Sequence, residues 1–142
     1  MGLEVQVTFD AADPAALAGF WKRVLGYVEQ PPPEGWSSWE DWATEMGIAE
    51  DRWNDQSAIV DPDGDGPRLF FQRVPEAKAG KNRVHLDVRA APGLEDDARR
   101  LRLREEAERL VALGATELYE LEERGAFWIT LQDPEGNEFC LD

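Results

Sequence analysis

The strongest constraint on the fold is a short alternating stretch that occurs twice. Residues 82–89 read NRVHLDVR, and residues 5–10 read VQVTFD. Successive side chains of a β-strand point to opposite faces, so each stretch predicts a strand with one apolar face and one polar face. If the two strands are copies, Gln6 stands where His85, the only histidine of the chain, stands. The chain is therefore expected to contain two related modules.

Each alternating stretch begins the same series of elements: strand, helix, strand, strand, strand. In the first series the strands are predicted at residues 3–9, 27–30, 56–60 and 68–74, and the helix at 13–26. In the second series they are predicted at 83–89, 116–121, 126–131 and 137–141, and the helix at 94–113. Similar DPxG turns precede the last strand of each series, at residues 61–64 and 133–136. Copies of such a unit packed side by side predict an α+β fold of two tandem βαβββ modules, forming a curved mixed sheet with a concave pocket.

The module boundaries follow from breaks in this pattern. Residues 75–81, PEAKAGK, are polar and contain glycine, as connecting segments do. We therefore predict a single domain over residues 1–142, with module one at 1–76 and module two at 82–142. Residues 34–54 do not belong to the repeated series and are interpreted as an insertion in module one.

The pleat of the strands predicts which side chains line the hollow. If Val84, Leu86 and Val88 pack on the helix, then His85 and Asp87 point into the hollow. The same alternation predicts further inward side chains on both modules: Gln6, Thr8, Phe70, Gln72, Arg89, Trp128, Thr130, Gln132, Glu138 and Cys140. The alternative is that this face is the solvated side of an antiparallel sheet.

Tryptophan is concentrated in the insertion. Four of the six tryptophans of the chain fall there: Trp36, Trp39, Trp42 and Trp53. Ser37 or Ser38 is expected to cap a short helix on which Trp39 and Trp42 share a side. Several indoles beside a concave sheet indicate a flat-walled site for a planar or hydrophobic ligand. A lid, a plug that fills the hollow, and a dimer contact all remain open.

Charge and cysteine content exclude several classes of partner. Thirty acidic and fifteen basic residues give a formal net charge of −15, which repels nucleic acid and anionic membrane surfaces. No stretch resembles a membrane span or a signal peptide. The single Cys140 cannot form an intramolecular disulfide. These features favour a cytoplasmic protein.

Three stretches carry a family resemblance: DPAALAGFWKRVLG at 13–26, KNRVHLDVRA at 81–90 and LQDPEGNEFCL at 131–141. They resemble the vicinal oxygen chelate superfamily, which includes glyoxalase I, extradiol dioxygenases, fosfomycin resistance proteins and bleomycin-binding proteins. More narrowly the chain is similar to its glyoxalase-like domain and bleomycin resistance protein branch. The resemblance implies the glyoxalase/bleomycin resistance/dioxygenase fold.

The resemblance also implies where a metal would bind. Metal-dependent members take ligands from the first and last strands of each module, and these positions here are Gln6, approximately Gln72, His85 and Cys140. Amides and a thiol replace the usual charged ligands, so we expect no cofactor. The open alternative is a divalent ion, Zn, Ni, Mn or Fe, held by His85 with Gln6 and Cys140.

Two functions follow from this set. The first is a binding protein whose pocket holds a small organic ligand, with these contacts: Gln6, Gln72, Trp36, Trp39, Trp42, Trp128 and Cys140. The second is a metal-dependent lyase or isomerase, or a related vicinal oxygen chelate enzyme, centred on His85, with His85 and Glu138 as catalytic residues. Cys140 is either a small buried apolar side chain or a nucleophile activated by His85. A homodimer is expected, because two-fold dimers are the commonest soluble assembly.

Overall fold

The computed structural model describes residues 1–142 and divides them into two compact units, residues 1–77 and 78–142. Each unit contains an open, mixed sheet of four strands with a long helix packed on it. The predicted α+β fold of two tandem βαβββ modules is confirmed. None of the helices has the length and apolar character needed to cross a membrane.

The first unit follows the predicted series and adds the insertion. Its elements are β1 (Val7–Ala11), α1 (Pro14–Leu25), β2 (Val28–Glu29), α2 (Trp39–Glu45), a 3-10 helix (Glu50–Asp55), β3 (Gln56–Val60) and β4 (Leu69–Arg73). The strand order is β1-β4-β3-β2, with β1 parallel to β4 and the other pairs antiparallel.

The second unit repeats this arrangement without an insertion. Its elements are β5 (Leu86–Val88), α3 (Asp96–Ala112), β6 (Thr116–Glu123), β7 (Ala126–Gln132) and β8 (Glu138–Leu141). The strand order is β5-β8-β7-β6, with only β5 and β8 parallel.

Helix α1 shows why local sequence signals place these elements correctly. The Asp13 carboxylate accepts a hydrogen bond from the backbone amide of Ala16 at 3.2 Å, and Pro14 occupies the first turn. Gly26 ends the helix in the left-handed conformation, with φ of 69°. A side-chain cap, an early proline and a terminal glycine together define both ends of the helix.

The core of each unit lies between its sheet and its long helix. In the second unit, fully buried side chains of β7, β8 and α3 form this layer: Leu103, Leu110, Ile129, Leu131, Phe139 and Leu141. The prediction that Val84 packs on the helix is wrong, because β5 begins only at Leu86 and Val84 is 80% exposed. Leu86 and Val88 are half-buried.

The strand registers relate the two units residue by residue. Val7 is opposite Leu69 in the first sheet, and Leu86 is opposite Phe139 in the second. The residues one position earlier are Gln6 and His85 on the first strands, in agreement with the predicted equivalence. One position later on the last strands, Phe70 corresponds to Cys140.

Hydrogen bonds tie the insertion to the first unit at two points. The indole Nε1 of Trp39 donates to the Gln30 carbonyl at 2.7 Å. Asn54 accepts from the Ala15 amide at 2.8 Å and donates to the Asp13 carboxylate at 2.8 Å. Ser38 caps α2, as expected. The insertion is therefore anchored at its beginning and at its end.

Candidate functional site

Polar side chains form a row across three strands of the second sheet, on the face turned away from α3, here named the distal face. Asp87 of β5 is opposite Cys140 of β8, and Cys140 is opposite Thr130 of β7. Phe139 and Leu141 are fully buried on the other face, so alternation along β8 turns Cys140 to the distal face. The sheet thus gathers an imidazole, a carboxylate, a thiol and a hydroxyl, since His85 lies two residues before Asp87.

The distances within this row are short. His85 Nε2 lies 3.3 Å from Asp87 Oδ1, and Thr130 Oγ1 lies 3.4 Å from Cys140 Sγ. The donor atoms of His85, Asp87 and Cys140 all lie within 4.8 Å of one another. The His85 and Asp87 side chains are 46% and 48% exposed, whereas Cys140 is 7% exposed. An incoming molecule can therefore reach the imidazole and carboxylate more readily than the thiol.

The environment of Cys140 favours the protonated thiol. Burial raises the pKa of Cys140, and a hydrogen bond from Thr130 opposes this increase. The negative charges of Asp87 and Asp142 and a hydrogen bond to Asp87 raise the pKa further. A neutral thiol is a poor nucleophile, so the geometry favours the buried apolar role of Cys140 over the activated one.

The titration of Cys140 gives a direct check of this row. Replacing Asp87 with asparagine removes a negative charge beside the sulfur, so the thiol pKa should fall. Replacing Thr130 with valine removes a hydrogen bond that favours the thiolate, so the pKa should rise. Because Cys140 is the only cysteine, the pH dependence of its alkylation by iodoacetamide reports this single group. Shifts in the same direction for both variants would contradict the described contacts.

Glu138, the predicted proton-transfer group, is engaged by a residue that sequence reasoning missed. Lys81 Nζ forms a hydrogen-bonded ion pair with Glu138 Oε2, and this hydrogen bond raises the pKa of Lys81. The Glu138 amide also donates to Asn82 Oδ1 at 3.2 Å. Both partners come from the polar segment before β5, which carried no periodic signal that pointed toward the site. Glu138 is thus held by a positive charge rather than free.

Gln6 and Gln72 lie in the first unit and each has a partner there. Arg68 Nη1 donates to Gln6 Oε1 at 2.6 Å, and Gln72 Nε2 donates to Asp10 Oδ1 at 2.8 Å. The register places Phe70, rather than Gln72, at the position corresponding to Cys140. The amide oxygen of Gln6 therefore already accepts a hydrogen bond from a cation.

The tryptophans predicted to contact a ligand are divided between the two units. Trp36, Trp39 and Trp42 belong to the insertion of the first unit, where the rings of Trp39 and Trp42 meet edge to face at 5.5 Å. Trp128 lies on β7 between the buried Phe127 and Ile129, so alternation turns it to the distal face near Thr130. Trp128 is half-buried and lies two residues before Thr130 on the same strand.

The chemistry of the row also fits a metal ion. An imidazole, a carboxylate and a thiol are all zinc ligands. Zinc bonds of about 2.0–2.3 Å in tetrahedral geometry separate neighbouring ligand atoms by roughly 3.3–3.8 Å. The 3.3 Å between His85 and Asp87 lies in this range, whereas the limit of 4.8 Å that contains all three donor atoms is wider. Asp87 was not among the predicted metal ligands, although its spacing two residues after His85 places both on one face.

Comparison with known proteins identifies the fold. The sequence matches the family described as "Glyoxalase-like domain" over residues 6–141. No curated protein sequence matches the chain at a significant level.

Three solved structures illustrate the similarity. The fosfomycin resistance protein FosX from Mesorhizobium loti is 18% identical, with a TM-score of 0.59 over 99% of this chain and 89% of that one. FosX from Listeria monocytogenes is 12% identical, with a TM-score of 0.64 over 99% and 90%. A glyoxalase/bleomycin resistance protein/dioxygenase family enzyme from Burkholderia phytofirmans PsJN is 16% identical, with a TM-score of 0.56 over 97% and 94%. At these identities the similarity concerns the fold.

Proposed function

Because the chain belongs to the glyoxalase-like domain family, we propose that it binds a small organic molecule on the distal face of the second sheet. The observation that carries this proposal is the row in which His85, Asp87 and Cys140 place their polar atoms within 4.8 Å of one another. A binding face needs a few convergent polar groups beside apolar surface. Trp128 supplies the apolar surface here.

Each member of the row has a separate task in this proposal. Asp87, 3.3 Å from His85 Nε2, fixes the orientation of the imidazole and favours a proton on that nitrogen. The other ring nitrogen of His85 is then the acceptor for a ligand hydroxyl or amide. Thr130 and Cys140 satisfy each other at 3.4 Å and support the floor of the site. The ligand is thus recognised by one oriented imidazole and one aromatic wall.

One contact and one pKa shift support binding without a metal. The Gln6 oxygen, a ligand position implied by the family resemblance, accepts a hydrogen bond from Arg68. Burial raises the pKa of Cys140, which makes the thiolate that a metal needs less accessible than in an exposed cysteine. Both features make the predicted metal set of Gln6, His85 and Cys140 less favourable, since the Gln6 oxygen already faces a cation and the thiol favours its proton.

A metal-dependent lyase or isomerase is the second candidate, because His85, Asp87 and Cys140 form a chemically suitable donor set. One structural neighbour, a mutant form of FosX from Listeria monocytogenes, was solved in complex with Mn(II) and a dihydroxypropylphosphonic acid. A metal held by these three residues would supply Lewis-acid polarisation of substrate oxygens. In that case Glu138 would move a proton only after Lys81 releases its carboxylate.

The two candidates are separated by comparing His85→Ala with Val84→Ala, an exposed neighbour, in metal analysis and ligand binding. For the binding function we expect no stoichiometric metal in protein purified without chelator. We also expect a panel of aromatic metabolites, screened by ligand-detected NMR, to yield a binder whose affinity falls roughly tenfold in His85→Ala, the loss of about one hydrogen bond. One equivalent of Zn, Ni, Mn or Fe that disappears in His85→Ala would instead establish the metal-dependent candidate.

A further inference from the structure

Arg68 has an unusual pair of partners on the face of the first sheet turned away from α1. Its Nε donates to Gln30 Oε1 at 2.5 Å, and its Nη1 donates to Gln6 Oε1 at 2.6 Å. The guanidinium carbon lies 5.2 Å from the centre of the Phe70 ring. Gln6 also donates to the Thr8 hydroxyl at 3.3 Å, which extends the network along β1. The Arg68 guanidinium is therefore fixed by hydrogen bonds to two glutamine side chains and by contact with the Phe70 ring.

These partners orient Arg68 without neutralising it. Both acceptors are neutral amide oxygens, whereas Arg73, Arg99 and Arg104 each pair with a carboxylate. The chain has thirty acidic and fifteen basic residues, so carboxylates are abundant. A guanidinium has five N–H donors, and the two described hydrogen bonds use two of them. Donors on Nη1 and Nη2 are left for an external acceptor.

We propose that Arg68 binds the carboxylate of a small organic acid whose apolar body lies against Phe70. The planar fork of a guanidinium matches a carboxylate through two parallel hydrogen bonds. Phe70 is opposite Thr8 on one side and Ala58 on the other. The surface beside the guanidinium therefore consists of the Phe70 ring and the methyl groups of these two neighbours. This surface favours an acid with an apolar body over a fully polar anion.

The negative net charge of the chain opposes anion binding, so the charge of a ligand cannot by itself supply the affinity of this site. A net charge of −15 repels a free anion at long range, and this repulsion is screened by salt. Affinity must then come from the short-range fork and from the apolar contact with Phe70. Gln6 and Gln30 act as positioning residues, because they fix the plane of the guanidinium before the ligand arrives.

The test uses benzoate as the probe and the Arg68 Nε–H resonance of the full chain as the readout in ¹H–¹⁵N NMR. Wild-type protein should show saturable shifts of this resonance with benzoate and none with benzamide, which lacks the charge. Arg68→Lys keeps the positive charge but loses the planar guanidinium. We expect its affinity for benzoate, measured by ligand-detected NMR, to be at least roughly tenfold lower. Arg83→Gln, which removes the same charge at an exposed position, should bind benzoate as wild type does.

Several outcomes would overturn the proposal. Equal benzoate binding by wild type, Arg68→Lys and Arg68→Gln would show that Arg68 does not hold the carboxylate. Inorganic phosphate that binds as tightly as benzoate would show a general anion site without the apolar contact. Far-ultraviolet circular dichroism identifies any variant that fails to fold. Arg68 lies on the first sheet, so benzoate binding should survive in His85→Ala. If benzoate does not bind at Arg68, the function proposed for the second sheet is unaffected.

Discussion

Replacing Phe139 with alanine should lower the free energy of unfolding by about 3–5 kcal/mol, the usual cost of truncating a fully buried phenylalanine. Phe139 is 0% exposed on β8, between its sheet neighbours Leu86 and Leu131. The substitution removes the apolar contacts of the ring and leaves a cavity that the surrounding sheet can only partly close. Urea unfolding followed by circular dichroism measures the change.

Val84→Ala is the matched control for this experiment. Val84 belongs to the alternating stretch that predicts packing on the helix, but it is 80% exposed. Its replacement should change stability by no more than about 0.5 kcal/mol, as is usual for surface substitutions. A loss of several kcal/mol for Val84→Ala would mean that the strand extends further than Leu86 and that Val84 is buried.

Helix α1 and strand β3 could be predicted well because their signals are local. Strand β3 spans Gln56–Val60, the predicted range, and α1 begins and ends at its cap residues. Caps, turns and periodicity act over a few residues and depend little on the rest of the chain. The order of elements was therefore available from the sequence.

The starts of β1 and β5 could not be predicted, because a strand is limited by its partner. The alternation of the sequence begins before residue 7, but β1 pairs with β4, which starts at Leu69 after Pro67. The register would place Val5 opposite Pro67, and proline cannot donate to a ladder, so the pairing does not extend that far. Likewise β5 pairs only with Glu138–Leu141, which follows a turn. Pairing over long sequence distances decided both boundaries.

The candidate site was predictable in part for a similar reason. Alternation along the predicted strand placed His85 and Asp87 on one face, and the parallel pairing of β5 with β8 set Cys140 opposite Asp87. The ion pair of Lys81 with Glu138 and the contacts of Arg68 depend on long side chains that reach across the sheet. No spacing rule in the sequence reports such contacts. The homodimer and the cytoplasmic location stay predictions.

Trp21→Ala should also lower the free energy of unfolding by about 3–5 kcal/mol. Trp21 is 1% exposed, and its ring lies 5.2 Å from that of Phe9 and 5.8 Å from that of Phe20. These contacts join α1 to β1, so the loss of the indole removes the centre of the first core. Trp21→Phe retains an aromatic ring and should cost less. Urea unfolding of the three proteins at one pH measures the order.

Trp39→Ala tests the insertion by the same measurement. Trp39 is 38% exposed, meets Trp42 edge to face and donates one hydrogen bond to the Gln30 carbonyl. Loss of that bond and of a partly exposed ring contact should cost about 1–2 kcal/mol. A loss equal to that of Trp21→Ala would mean that the insertion is a plug belonging to the core. A loss of only about 1–2 kcal/mol would favour a role of the tryptophans in binding a ligand or a second copy of the chain.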